Sequence, residues 1–296
     1  MQYIFILIFL FFQKELYACD VCGGAMSLNY NSLMPNINSH YLGLRYRNVN
    51  FTSFHTNTNS KAFDLIQSIE GVGKYKLSNK LNVNASIPIL MIDREEAQKA
   101  PTKLTAIGDI QLMMNAIVLN NEDEIRKLKH QLQFALGIKL PTGPYQLIDN
   151  YNTVYAAMQP GTGSIDFLSG MSYTIRFQNF GAMADLNARW NTSNPNEYQF
   201  GNRYASGLKL FYWQTLKNWN LIPNVGILYE KMEKDRHPTD LIQQTGGHLF
   251  FTNFGVDLFY KKTALNILFG LPLLQNLNQN QTETGLRVQT QLLIFI

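Results

Sequence analysis

Strict alternation of apolar and polar side chains constrains this chain more than any other feature. Leu81, Val83, Ala85, Ile87 and Ile89 alternate with Asn82, Asn84 and Ser86. Leu132, Phe134, Leu136, Ile138 and Leu140 alternate with Gln131, Gln133, Gly137 and Lys139, and Leu286, Val288, Thr290, Leu292 and Ile294 with Arg287, Gln289 and Gln291. A period of two marks an extended strand whose faces meet unlike surroundings. The pattern predicts twelve strands, roughly 39–49, 61–77, 79–91, 104–119, 128–140, 163–177, 179–192, 203–215, 219–231, 246–259, 262–272 and 285–296. Most reach the 9–11 residues that a tilted strand needs to cross a bilayer, whereas soluble strands average about five or six. The best helix candidate is the short acidic-basic piece Asn121–Leu128.

The connections alternate as well. Short turns fall at Leu77–Lys80, Gln178–Asn179, Leu216–Asn218 and Tyr260–Lys262, with long connections near 50–60, 92–103, 141–162, 193–202, 232–245 and 273–284. Short turns at one end and long loops at the other belong to an outer-membrane barrel. Residues 120–127 are expected to break this rule with a longer turn. An even strand count puts both ends of the barrel segment on the short-turn, periplasmic side.

Composition agrees. Hydrophobic residues make up 46% of the 296 and charged residues 16%, against about 25% charged in ordinary soluble domains. The mean hydropathy is −0.14, too low for a bundle of membrane helices. In lipid no water satisfies backbone N–H and C=O groups, so a membrane sheet must close on itself. Apolar residues then occupy every second position, and no long apolar run arises. Phe211-Tyr212-Trp213 and Trp219 flank one tight turn, Tyr260 and Phe177 flank two others, and this placement fits an interfacial girdle. The expected fold is an all-β, up-and-down antiparallel transmembrane barrel of about 12 strands. The net charge of +4 has no dense basic cluster, which argues against nucleic acid.

The only long apolar run is Tyr3–Phe12. Its ten residues fall in the range of a signal-peptide core, and Ala18 offers a cleavage point. The expected organisation is a signal peptide over 1–18, a periplasmic segment over 19–38 and the barrel over 39–296, in the outer membrane of a Gram-negative bacterium. Cleavage would leave Cys19 at the mature N-terminus, paired in spacing with Cys22. Three readings stay open: a disulfide, as an oxidising periplasm permits; two thiolate ligands to a metal, still two short of a zinc set; or lipid attached to Cys19.

If Leu, Val and Ile face lipid, the alternate positions face the lumen. They include Arg45, Arg47, Asp64, Asp109, Lys139, Asp166, Arg176, Asp185, Arg189, Lys209, Glu230, Asp257 and Arg287. Charges of both signs there either pair off and fill a narrow barrel or border a mixed-charge pathway. Eight strands leave a filled interior and sixteen to eighteen an open channel, so twelve predicts a narrow or partly plugged conduit. The loop 141–162, rich in Tyr, Pro and Gly, is the candidate to fold inward or to cap the outer mouth. The five histidines are scattered, and neither HExxH nor GxSxG occurs. No enzyme chemistry and no cofactor is expected.

Several pieces of the chain stand in a familiar order. Gly108-Asp109-Ile110 is followed by Leu136–Gly143, reading LGIKLPTG, then by Gln159–Ser164, reading QPGTGS, with Asp166 and Gly170 after it. Gly270-Leu271-Pro272-Leu273 leads into the last hairpin. This order resembles the bacterial outer-membrane barrels named for the meta pathway of phenol degradation, a transporter-like family, and its style resembles Bacteroidetes proteins. The resemblance implies a barrel surrounded by outer-membrane lipid that passes a small solute, aromatic or hydrophobic ones included. The expected function is passive transport of such a solute. The alternative is a closed structural or interaction barrel, metal-linked through Cys19 and Cys22.

Overall fold

The computed structural model describes residues 39–55, 60–97, 100–146, 148–149, 152–153, 156–238 and 240–296. The expected signal peptide and CxxC segment lie outside them. Among the described residues, twelve antiparallel staves close into one barrel. They are β1 (Tyr41–His55), β2 (Ser60–Lys76), β3 (Leu81–Glu96), β4 (Thr102–Ile107 continued by Ile110–Asp123), β5 (Leu128–Leu140) and β6 (Asp166–Phe177). The circuit continues through β7 (Phe180–Trp190), β8 (Arg203–Tyr212 continued by Gln214–Leu216), β9 (Trp219–Met232), β10 (Gly247–Tyr260), β11 (Thr263–Leu277) and β12 (Thr282–Thr284 continued by Arg287–Phe295). Each stave pairs with its sequence neighbours. The circuit closes where β1 pairs β12, Tyr41 opposite Phe295 and Asn48 opposite Val288. Closure leaves no edge strand and satisfies the backbone within the sheet, the condition for a sheet in lipid.

The alternation sorts side chains as a bilayer demands. Leu42, Leu44, Leu136, Leu208, Leu210 and Ile294 stand exposed on the outer face, while Arg45, Lys139, Lys209 and Gln291 on the same strands are buried. Three irregularities reset this phase. Between β3 and β4 the register slips by one residue, from Ser86–Gln111 to Ile89–Ile107, so that neighbours Gly108 and Asp109 are both buried. The slips at Ile117/Leu119 and Phe250/Phe251 leave Val118 outside and place Leu273 and Leu274 side by side on the outer face. One extra residue in one strand of a pair is a β-bulge, which bends the strand and re-aims side chains.

Several boundaries differ from the sequence reading. Asn121–Leu128 is not helical: β4 runs on to Asp123 and a turn at 124–127 joins it to β5. Cross-strand pairing there outweighs the weak preference of a short charged segment, and the exception to the short-turn rule disappears. The connection expected over 273–284 is also short, because β11 extends to Leu277 and β12 begins at Thr282. At the short-turn end, Gln178, Lys217 and Lys261 adopt left-handed backbone with φ of 53°, 51° and 50°, which tight hairpins require.

Candidate functional site

The site is built from the lumen wall and the loop 141–165. Asp109 holds both stems of that loop. Its carboxylate accepts from the Gly143 amide at 3.0 Å and from the Thr162 amide at 2.9 Å. Thr142 Oγ1 donates to the Gly108 carbonyl at 3.0 Å and accepts from the Ile110 amide at 2.9 Å. Lys139 Nζ lies 2.9 Å from Asp109 and 2.6 Å from Asp166, and also contacts Thr162 Oγ1. The next long loop is stitched on: the Thr192 amide donates to Asp166 at 3.1 Å and Asn194 Nδ2 to the Thr162 carbonyl at 3.1 Å. The LPTG and QPGTGS pieces and the bulge at Gly108-Asp109 are therefore one clasp. The two stems cross at Gly143 and Gly161, backbone against backbone.

The clasped loop carries Met158 inward. Its side chain is fully buried in one apolar cluster that includes Phe51 of β1, Ile66 of β2, Ile92 of β3, Leu228 of β9 and Phe251 of β10. Arg94 Nη1 lies 3.5 Å from Met158 Sδ. This cluster corrects the expectation that aliphatic residues belong to the lipid face. Val49 and Phe51 share the inward phase of Arg45 and Arg47, and Leu90 and Ile92 that of Arg94. Period two distinguishes two faces but does not name them. The usable signal was phase: an aliphatic two residues from a buried arginine faces the same way.

Towards the short-turn end the lumen carries aromatic rings. Tyr41 meets Phe295 edge-on at 6.2 Å, Phe295 stacks with Phe259 at 6.3 Å, and Phe259 stacks with Trp213 at 6.2 Å. Of the Phe211-Tyr212-Trp213 cluster, Phe211 is buried with Met183 and Ile222, and Trp213 packs on that group. Only Tyr212 keeps the girdle role, against Phe180 at 4.9 Å. Trp219 stacks on Tyr260 at 4.3 Å as the girdle reading expects. The triad straddles the wall because neighbouring strand residues point to opposite faces.

The charged positions expected from sequence lie on both sides of the apolar cluster and within it: Arg45 and Arg47 on the short-turn side, Arg94 and Asp64 on the long-loop side, and Glu230 between Leu228 and Met232. Arg45 Nε donates to Glu70 at 3.0 Å, and Arg47 Nε reaches the same carboxylate at 3.4 Å. Arg94 pairs Asp64 at 3.1 Å, and Arg287 pairs Glu230 at 2.8 Å with its guanidinium 4.0 Å over the Phe251 ring. Asp257 accepts from Asn266 at 2.7 Å. Lys209 interacts with Asp257 and Asp185, and Arg189 with Asp166 and Asp109. Arg176 is half-buried, its guanidinium 4.7 Å over Trp213. Glu70 and Glu230 were not placed in pairs by the sequence, because barrel closure sets who stands opposite whom. Beside this belt a cavity of ≈ 100 Å³ is lined by Arg45, Asn84, Gln111, Asn115, Gln133 and Gln291 among others, room for several waters at the 10–15 Å³ each requires. Among the described residues no group of three or more His, Cys, Asp or Glu is placed to hold a metal ion. Cys19 and Cys22 lie outside those residues.

No protein-family model matches the chain, and no curated protein matches it in sequence. Solved structures do. An outer membrane channel from Pseudomonas putida F1 superposes with a TM-score of 0.66 at 13% identity, covering 90% of this chain and 98% of the channel. The β domain of the Bordetella autotransporter BrkA gives a TM-score of 0.51 at 9% identity over 87% of this chain and 100% of that domain. At such identities the likeness concerns the fold: a closed antiparallel barrel of the outer-membrane type.

Proposed function

We propose that this chain is a passive channel of a Gram-negative outer membrane for a small hydrophobic or aromatic solute, of the transporter-like family that its LPTG and QPGTGS pieces resemble. The observation that carries the proposal is the apolar band around Met158. Its wall residues come from β1–β3 and β8–β11, and Met158 of the loop packs among them inside the lumen. A hydrophobic constriction expels water and ions yet costs an apolar solute little. The paired charges Arg45–Glu70, Arg94–Asp64 and Arg287–Glu230 line the same path, and Asp109, Lys139 and Asp166 hold the loop that narrows it. The likeness to an outer membrane channel from Pseudomonas putida F1 agrees with this reading. Export through a leader cleaved after Ala18, and a disulfide between Cys19 and Cys22, belong to the same proposal. No covalent chemistry is assigned.

The test is reconstitution. Liposomes holding the folded protein take up a small aromatic such as toluene or benzyl alcohol faster than empty ones, while ionic conductance in planar bilayers is low. Met158→Ala raises that conductance. A folded barrel that speeds no uptake and stays silent after Met158→Ala is a closed structural barrel instead.

A further inference from the structure

A roomy hollow lies on the lipid-facing side of the wall. It has ≈ 760 Å³, within the range of pockets that hold small ligands. One row of paired residues forms its floor. Leu136 of β5 stands opposite Ser169 of β6, Ser169 opposite Ala188 of β7, Ala188 opposite Tyr204 of β8, and Tyr204 opposite Lys231 of β9. All five border the hollow. The depth comes from small side chains, Ser169, Ala188 and, in the next row, Ser206, where neighbouring parts of the outer face carry Leu and Phe.

The row is graded along the membrane normal. Leu136 is the middle residue of the outward stretch Leu132–Leu140, further from the long-loop end than Tyr204 or Lys231. Lys231 is the second-last residue of β9, at the long-loop end. His248 stands directly opposite it, and the ring of Tyr229 lies 6.4 Å from the His248 ring. The Tyr204 hydroxyl donates to Glu233 at 3.4 Å, a carboxylate that also takes Asn202 Nδ2 at 3.0 Å. The hollow is thus greasy at its deep end, with hydroxyls along it and the exposed Lys231 at its shallow end.

We infer that this hollow is a binding groove for one phosphorylated glycolipid of the outward leaflet. An acyl chain lies over Ser169 and Ala188 towards Leu136, the sugar meets the hydroxyls of Tyr204, Ser206 and Tyr229, and the phosphate meets Lys231. Chain and headgroup match the gradient, which neither a soluble solute nor a partner strand does: the backbone of all five strands is already paired.

The test uses the full chain, purified in detergent, stripped of lipid and examined by native mass spectrometry with monophosphoryl lipid A as the probe. One lipid is retained per barrel. Ala188→Trp fills the groove and lowers retention to background. Ser206→Phe does the same job should Ala188→Trp fail to fold, judged by heat-modifiable gel migration. Lys231→Gln lowers retention about fivefold, the equivalent of roughly 1 kcal/mol per basic residue at an anionic lipid surface. Conductance of these variants stays at the parent level, so failure of the channel proposal does not touch this one. Full retention by a folded groove-filling variant, or equal retention of a diacylglycerol of the same chain length, overturns the groove. Preference for phosphatidylglycerol over lipid A overturns the glycolipid assignment.

Discussion

Gly143 and Gly161 lie so close that a β-carbon on Gly161 would stand 2.2 Å from the Gly143 carbonyl oxygen. This is where the two stems of the inserted loop cross. Backbone cannot yield as a flexible side chain can, so Gly161→Ala is expected to part the stems. The Asp109 hydrogen bonds to Gly143 and Thr162 then break together. The variant should still form a barrel but show raised conductance, with proteolysis within 141–165 as the second measurement. Parent-level conductance and protease resistance would contradict the clasp.

Lys139 lies within ion-pair distance of both Asp109 and Asp166, and Arg189 interacts with the same two carboxylates. Lys139→Met removes the ammonium that the two buried carboxylates share. Removing one partner of a buried pair costs about 3–5 kcal/mol. The expected outcome is a lower urea midpoint, followed by heat-modifiable gel migration. Lys139→Met with Asp109→Asn should recover part of the loss, because one buried charge goes with its partner.

Met158→Ala removes a fully buried apolar contact of the loop without touching the clasp. The barrel wall closes without Met158, so the barrel still forms, at a cost of about 2–5 kcal/mol for the emptied buried site, while single-channel conductance rises several-fold. Met158→Leu, similar in volume, should keep the parent conductance. The comparison separates a filled constriction from a general loosening of the loop.

The two faces of β8 are distinguished by charge. Leu208 is exposed midway along the strand, and Lys209 beside it is buried inside. Leu208→Arg places a cation in hydrocarbon and should cost about 2–4 kcal/mol near the bilayer midplane. Gln291→Lys on the inward face of β12 should cost clearly less. Equilibrium unfolding of both variants in lipid vesicles checks the orientation of the whole barrel.

The strands, their number and the closure of the sheet were legible in the sequence. Period two is a local property, and lipid leaves an alternating sheet no other way to satisfy its backbone. The inward phase of Arg45, Lys139 and Gln291 was legible for the same reason. The tertiary structure decided what alternation cannot carry across the barrel. Strand tilt and register bring Phe51, Ile92, Leu228 and Phe251 to one level and Met158 between them, and they set Arg287 against Glu230. Bulges decided where the phase flips, at Gly108-Asp109 above all, because one added residue moves every following side chain to the other face. Closure joins residues as far apart as Tyr41 and Phe295, whose meeting depends on the path of every strand between them.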